Sequence, residues 1–566
     1  MAYSNQIIPF GEYRPDVSDL NAQYTSSVLN VRPRGDGYGP FAAPQAFTSA
    51  LAAPCRGYFY GRIGDQIVIF AGTETRLYRL DNSTLTWTDV SAGGSAYSSL
   101  PSDGHWQFAQ FGNFVIAVQV NAPPQVYDVT LSSAFADLGG SPPRARYISI
   151  ISTFVVLSGL LDNPYRVHWS GESDVTQWTA GVGLSDFQDI PDGGMVRGVV
   201  GGEFGIIIQD TAIRRMVFVP GSDIIFQIER IARDIGALAP YSIVNASDRM
   251  FFLSPRGFVM ADMSGQVHPI GKERVDRTFL ATYDSASLHM VIGASDPSTN
   301  TVMWASKSLD GGIVGQFDTI HLYDWVLDRW SKVTTSGQYL AFMGAPGYTI
   351  ESLDALTPGA VVISGAANNG SGLVRLTVAS TSGWTTGDIK TVSGVLGTTE
   401  ANGTWAITVV DATHIDLQGS AFSVAYTSGG VVSGSIDALS FSLDAVAAST
   451  LAQLSCVNTS NEVCLFNGAN LESVLETAEY SLMHKRMLIN EVMPITDGTN
   501  VYVSIGTRDR RDAAFSYGEE ALMDEDGHCS LLEEGRWVRA KMRIPAAEVW
   551  EHATGVLADT VVAGEV

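Results

Sequence analysis

Basic residues are in short supply in this chain. Lys and Arg number 34 against 59 Asp and Glu in 566 residues, a formal net charge of −25. Gripping a nucleic-acid backbone needs clustered cations, so a protein built mainly for that task is excluded. An acidic wall along which a phosphate backbone slides is a different matter, because the repulsion reaches only about one Debye length, roughly 8 Å at physiological salt. Cysteine is scarce too: Cys55, Cys456, Cys464 and Cys529 form no CxxC pair. That excludes a disulfide scaffold and reads as reduced thiols made in a cytosol. Long apolar runs are missing. The longest, YISIISTFVVLSGLL at 147–161, is interrupted by Ser and Thr and too short for a bilayer, so no membrane span is expected and two strands across a turn explain it better. The opening MAYSNQIIPFGEYRPDV has no basic region followed by an apolar run, and no signal peptide is expected.

Catalytic signatures are absent as well. There is no P-loop, HExxH, GxGxxG after a strand or GxSxG elbow, and the scattered histidines show no ligand-like spacing. Carboxylate pairs for glycoside hydrolysis are set by separation in space, so sequence spacing is silent on them. A sialidase Asp box wants Ser-x-Asp-x-Gly-x-Thr-Trp; RLDNSTLTW has Thr84 in place of Gly and Asn82 in place of Asp, and in ESDVTQW Asp174 lies one place too near Trp178. No enzyme, cofactor or metal is expected. The RGD at 34–36 reads as chance, and RDRR at 508–511 as a loop solvated by its own charges.

What the chain does have is repetition. From about residue 55 to 350, short β-branched and aromatic runs alternate with Gly, Asp, Asn and Pro, an all-β pattern. RGYFYGRIGDQIVIFAG (56–72), HWQFAQFGNFVIAVQ (105–119), RARYISIISTFVVLSG (144–159), MVRGVVGGEFGIIIQD (195–210) and YSIVNASDRMFFLSPRG (241–257) each read as strand, tight turn and more apolar strand. A second, aromatic hairpin follows in several units: Tyr78 to Trp87, Tyr127 to Phe135, Trp169 to Trp178, and Tyr323 to Trp330. Two hairpins per unit make a four-stranded sheet, and the spacing is that of propeller blades. About six such units are expected in a β-propeller over 55–357, the last formed by 288–308 and 318–333. Its aromatics Tyr78, Trp87, Tyr127, Trp169, Trp178, Tyr323 and Trp330 would plug the gaps between blades with their polar edges kept wet. A β-sandwich with chance aromatics is the alternative.

The stretch 358–436 is rich in Gly, Ser, Thr and Val and poor in charge. It predicts an inserted small β-sandwich or barrel with a hairpin about Asp411-Ala412-Thr413, flanked by the similar sequences SLDALTPGA and SIDALSFSLDAVA. Trp384 and Trp405 there could stack on sugar or on a partner, or belong to the core. From 437 to the end, 21 acids face 9 bases in a C-terminal β region expected to complete the main body, with ALMDEDGHCSLLEEG (521–535) as a solvated connection. Residues 1–54 are expected to be an extended segment that closes or braces the propeller.

That segment carries a resemblance. PFGEYRPDVSDLNAQYTSSVLNVRPRGDGYGPFAAPQAF holds a Pro15-Asp16 turn, Asn30-Val31, Pro33 and Gly37-Tyr38-Gly39-Pro40, and resembles the N-terminal segment of short-tailed bacteriophage tail proteins of the nozzle or tail-hub kind, including packaged-DNA stabilisation proteins. The hairpins with Tyr323-Asp324 and Trp330, and GRWVRAKMRIPAAEVWEHATGV near the end, are similar to that family's propeller and closing segment; the inserted stretch resembles a small β module of phage structural proteins. The resemblance implies a structural protein of the virion tail, synthesised in the bacterial cytoplasm. It would form a ring of six copies below the portal and its adaptor ring, around the DNA exit channel, with tail fibres or spikes docked at its side. It would help retain packaged DNA and take part in ejection, with DNA passing without sequence-specific binding. The alternative is a receptor-binding or adhesin-type tail protein that recognises cell-surface glycans.

Overall fold

The computed structural model describes residues 3–18, 23–64, 66–82, 84–222, 224–246, 249–262, 265–296, 298–344, 361–382, 384–433, 452–481 and 485–562. The chain is all-β, and its frame is a β-propeller of four-stranded antiparallel sheets. The six units read from the repeat are each a sheet whose strands follow one another in chain order: blade 1 at 58–89, blade 2 at 107–137, blade 3 at 145–189, blade 4 at 196–233, blade 5 at 244–269 and blade 6 at 292–337. A seventh sheet completes the set, and no local repeat announces it. It joins Tyr339–Gly344, Ala452–Val457, Val463–Leu465 and, outermost, Gln45–Ala46 from the N-terminal segment. The propeller therefore runs past the expected limits of 55–357 at both ends.

Blade 7 closes against blade 1, where Phe342 meets the Tyr60 ring edge-on at 6.3 Å and the Tyr58 hydroxyl meets the Met343 sulfur. Each tight turn has a residue suited to it. Ser152, between Ala145–Ile151 and Phe154–Leu160, has φ 53°, and Gly112 takes the same left-handed region at φ 57°. Second strands such as Phe154–Leu160 and Gly205–Gln209 are buried throughout, because both faces of a blade lie against neighbouring blades.

The ends of the chain build a second pair of sheets. One carries Cys529–Gly535, Met487–Thr496, Ala553–Val562, Tyr38–Pro40 and Val31–Pro33, with Tyr3–Pro9 also paired to Ala553–Val562. The other carries Val28–Leu29, Ser473–Glu476, Trp537–Ile544, Tyr502–Arg508 and Ser516–Tyr517, with Ala521–Leu522 on Tyr502–Arg508. Their inward residues Ile489, Val492, Val556, Val503, Ala540 and Met542 share one core with Phe251, Phe258, Trp304 and Trp330 of blades 5 and 6. The acidic 521–535 is thus a pair of strands and a turn: Asp524, Glu525 and Asp526 sit in the exposed turn, Glu533 and Glu534 on the edge strand, and Cys529 and Gly535 are buried. At 508–511 only Arg508 departs from the solvated loop, since it ends a strand, is buried in an ion pair with Glu479 and lies 4.5 Å over the Phe515 ring, while 509–511 are exposed and Arg510 pairs with Asp512.

Between the first two strands of blade 7 the chain forms a separate unit, a closed six-stranded barrel over 361–433. Its core holds Ile363, Val374, Leu376, Val392, Ile407 and Ile415, and the hairpin Gly403–Asp411 to His414–Leu417 turns about Asp411-Ala412-Thr413. The two flanking similar sequences, 352–360 and 435–447, lie outside the described residues.

The N-terminal segment fastens the propeller to the sandwich made by the two terminal sheets through three residues. Asp16 accepts from the backbone N–H groups of Arg277 (2.7 Å) and Thr278 (2.8 Å) and from the Thr278 hydroxyl (2.7 Å). It thereby caps the helix Asp276–Thr282, whose own N-cap position holds Val275, a residue without a side-chain acceptor. Asn30, at φ 58°, donates its amide N–H to Lys332 O (2.8 Å), accepts from Thr334 N (2.8 Å) and donates its side-chain amide to Glu472 O (2.8 Å). Tyr38, fully buried, donates its hydroxyl to Gly11 O (2.9 Å), and the Arg329 guanidinium of blade 6 lies 4.9 Å over its ring.

Candidate functional site

Propellers present their central funnel to ligands, and here the segments leading into the inner strands converge on it. A cavity of about 470 Å³ is lined by Arg146, Tyr147, Arg197, Leu238, Tyr241 and His289 among others. Beneath it the axis is filled. The His105 ring of blade 2 lies 4.6 Å from Tyr241 at the start of blade 5 and 5.3 Å from Tyr339 of blade 7, contacts that only side chains meeting across the axis can make. His105 Nε2 donates to His289 O (2.9 Å), and the Tyr241 hydroxyl accepts from His105 N (3.0 Å).

The electrostatics follow from burial. Desolvation, with Arg56 nearby, pushes the His105 imidazole down to about 3, so it is neutral with its proton on Nε2. Burial and Arg56 also lower His289, and burial raises the phenols of Tyr147, Tyr241 and Tyr339. Charge is confined to the rim: Arg146 stands 3.4 Å from Asp103 and Arg197 2.5 Å from Asp210. Arg56 holds the loop at the rim by donating to Gly104 O (2.6 Å) and Pro101 O (3.1 Å). Such a site offers hydrogen-bonding groups and rim arginines, and burial disfavours the charged form of both imidazoles. Among the described residues no three His, Cys, Asp or Glu side chains gather as a metal-holding group.

The aromatics picked from sequence fall mostly between blades. Tyr127 packs 5.1 Å from Phe70 of blade 1 and accepts from Arg79 (2.8 Å). Trp178 lies with Ile116 and Val118 of blade 2, and Trp169 stands 5.1 Å from Phe226 of blade 4. Tyr323 and Trp330 face Phe251 (6.3 Å) and Phe258 (5.2 Å) of blade 5. Tyr78 is nearly buried in blade 1, while half-buried Trp87 donates to Ser49 O (3.0 Å) and so pins the N-terminal segment.

Two expectations change. Trp178 sits in the loop between Arg166–Trp169 and Asp186–Asp189, not on a hairpin strand. The polar edges are also not wet: the indole N–H groups of Trp169, Trp178 and Trp330 donate to Leu184 O, Val175 O and Ile270 O at 3.0, 2.8 and 3.0 Å, because an N–H buried between blades must find a protein acceptor.

Trp106, missed as a blade residue although HW opens its unit, does the same to Thr73 O (2.8 Å). It lies so close to Gly72 that a Cβ there would fall 2.3 Å from the indole. Trp384 and Trp405 both pack half-buried on the barrel core; Trp405 donates to Ala401 O (2.8 Å), and Lys390 lies 5.2 Å over Trp384. No ring contact joins the two among the described residues. His105, Tyr241 and Tyr339 carried no signal that they meet, since they come from distant blades.

No family model matches the sequence, and no curated protein matches it. Among solved structures the chain is similar to U3-55K at 10% identity, covering 67% of this chain and 100% of that one with a TM-score of 0.36. It is similar to the dihydro-heme d1 dehydrogenase NirN in complex with DHE at 12% identity, covering 69% and 79%, TM-score 0.32. It is similar to YCF48 bound to D1 peptide at 11% identity, covering 54% and 87%, TM-score 0.32.

Proposed function

We propose that this chain is a non-catalytic structural protein of a short-tailed bacteriophage tail. Six copies form a nozzle ring below the portal and its adaptor, surround the DNA exit channel, help retain packaged DNA and take part in ejection. Fibres or spikes dock at the side of the ring. The observation that carries this reading is the use made of the residues behind the resemblance: Asp16, Asn30 and Tyr38 all hold propeller residues, and Asn30 also bonds Glu472 beside a sandwich strand. Their pattern is therefore tied to this architecture and not to composition. Because His105, Tyr241 and Tyr339 fill the axis of the single propeller, the conduit in this reading lies between copies. The acidic balance of −25 suits a wall that does not hold DNA. The packing of Trp384 and Trp405 on the barrel core weighs against the glycan-binding alternative.

The test is immunogold electron microscopy of phage particles from the producing lysate, with antibody raised against the barrel. Label confined to the lower tail supports the nozzle reading. Unlabelled particles, with the protein present and its epitope open in solution, remove it.

A further inference from the structure

The fourth strand of a blade is its exposed edge, and most are short here: three residues in blade 1, two in blade 2, four in blade 3, three in blade 5 and two in blade 7. Short edges guard against unwanted strand pairing. Two blades depart from this. Arg329–Gly337 of blade 6 has nine residues, but Asn30 bonds to its backbone at Lys332 and Thr334. Phe226–Arg233 of blade 4 has eight residues, and among the described residues Ala212–Phe218 is its one partner strand.

That open edge runs into a charged cavity. Its last residues, with Ile235, border a space of about 540 Å³ also lined by Arg256, Val259, Val267 and Lys272 of blade 5 and its following loop. A second space of about 520 Å³ shares Arg256 and Lys272 and adds Arg277. Arg233, Arg256 and Lys272 are exposed, and none makes an ion pair among the described residues. With 59 acids for 34 bases in the chain, three unpaired cations around one apolar-walled cavity run against the general charge. Asp234 and Glu273 border the two spaces as the opposing charges left exposed there.

We infer that the outer edge of blade 4 takes an extended acidic segment of a partner protein, which adds a fifth strand along Phe226–Arg233 and places its carboxylates against Arg233, Arg256 and Lys272. The open edge supplies backbone N–H and C=O groups for β-augmentation, and the cavity supplies charge selection. A nucleic acid could use the cations but not the edge. The inference does not depend on the tail reading.

The test is fluorescence anisotropy on the full chain with a labelled peptide of about ten alternating Glu and Val residues, a length that spans such an edge. It is run beside the same peptide with Lys for Glu, the peptide N-methylated at alternate amides in either register, and an oligothymidylate of equal charge. The expected result is saturable binding of the Glu peptide alone, weakened at least about tenfold by N-methylation and by Arg256→Glu with Lys272→Glu. Both side chains are exposed and unpaired, so the double variant should melt as the parent does. No saturable binding overturns the inference. So does binding that survives N-methylation or the charge reversal, or equal or tighter binding of the oligothymidylate.

Discussion

Removing the Asp16 carboxylate should loosen the join between propeller and sandwich. In Asp16→Ala, the N–H groups of Arg277 and Thr278 and the Thr278 hydroxyl lose an acceptor that is itself only 5% exposed. An N-cap is worth about 1 kcal/mol, and bonds to a charged acceptor about 1.5–3 kcal/mol each. Arg277 is exposed, so water recovers part of the loss, and the net cost is about 2–4 kcal/mol. Thr278→Val removes a single bond and should cost about 1 kcal/mol. Because both changes delete that same bond, the double variant should fall short of the sum by about 1 kcal/mol. Urea unfolding followed by tryptophan fluorescence reads this, since Trp304 and Trp330 lie in the shared core. A loss under about 0.5 kcal/mol for Asp16→Ala, or strict additivity with Thr278→Val, would refute the capping role.

Three further outcomes are expected. Burial, reinforced by the nearby Asp16 carboxylate and opposed by the Phe258 N–H, pushes the Asp276 carboxyl up to about 6. The native state then keeps a proton that the unfolded chain releases near pH 4, so stability is full below that pH and falls as pH rises through 6. Asp276→Asn should remove this fall, worth about 1–2 kcal/mol once its partial exposure is allowed for; urea midpoints at about pH 4 and pH 7.5 (test conditions, at the start of the fall and beyond its end) that drop equally in both proteins would contradict it. Gly344 and Ala452 face each other across one strand pair, so replacing residues 345–451 with a short Gly-containing turn should leave the melting of the rest unchanged; calorimetry showing a lost or lowered main transition would disprove that. Burial pushes the Cys55 and Cys529 thiols up to about 12, so both should stay unlabelled by a thiol reagent at pH 8 (about four units below) until denaturant is added, as mass spectrometry would read.

Six blades were legible because each is a local object. Ser152 and Gly112 mark turns between adjacent strands, and the runs either side bear the pattern of a buried second strand. The barrel was legible from composition, since a unit with its own core needs its own apolar alternation. Blade 7 was not, because its strands come from 45–46, 339–344 and 452–465, and no window along the chain contains them together. The Asp16 cap was hidden for the same reason: its helix carries Val275 where a sequence reader looks for Ser, Thr or Asp. The strand Cys529–Gly535 was hidden by its acids, which an edge strand exposes. At the axis, His105 looked like any scattered histidine until the ring placed it against Tyr241 and Tyr339.

Blade 7 also sets a timetable. Ala46 pairs with Cys464, and Tyr3–Pro9 with the strand Ala553–Val562, so the first strands to leave the ribosome find their partners last. At about 5–20 residues per second, Gln45–Ala46 waits on the order of twenty seconds to more than a minute for Val463–Leu465. Until Ala452–Val457 is made, Tyr339–Gly344 has no strand beside it, and its unpaired edge is exposed to whatever else can offer one. A chain cut short anywhere before residue 463 cannot receive Gln45–Ala46 and so cannot complete its seventh blade, which separates finished subunits from fragments.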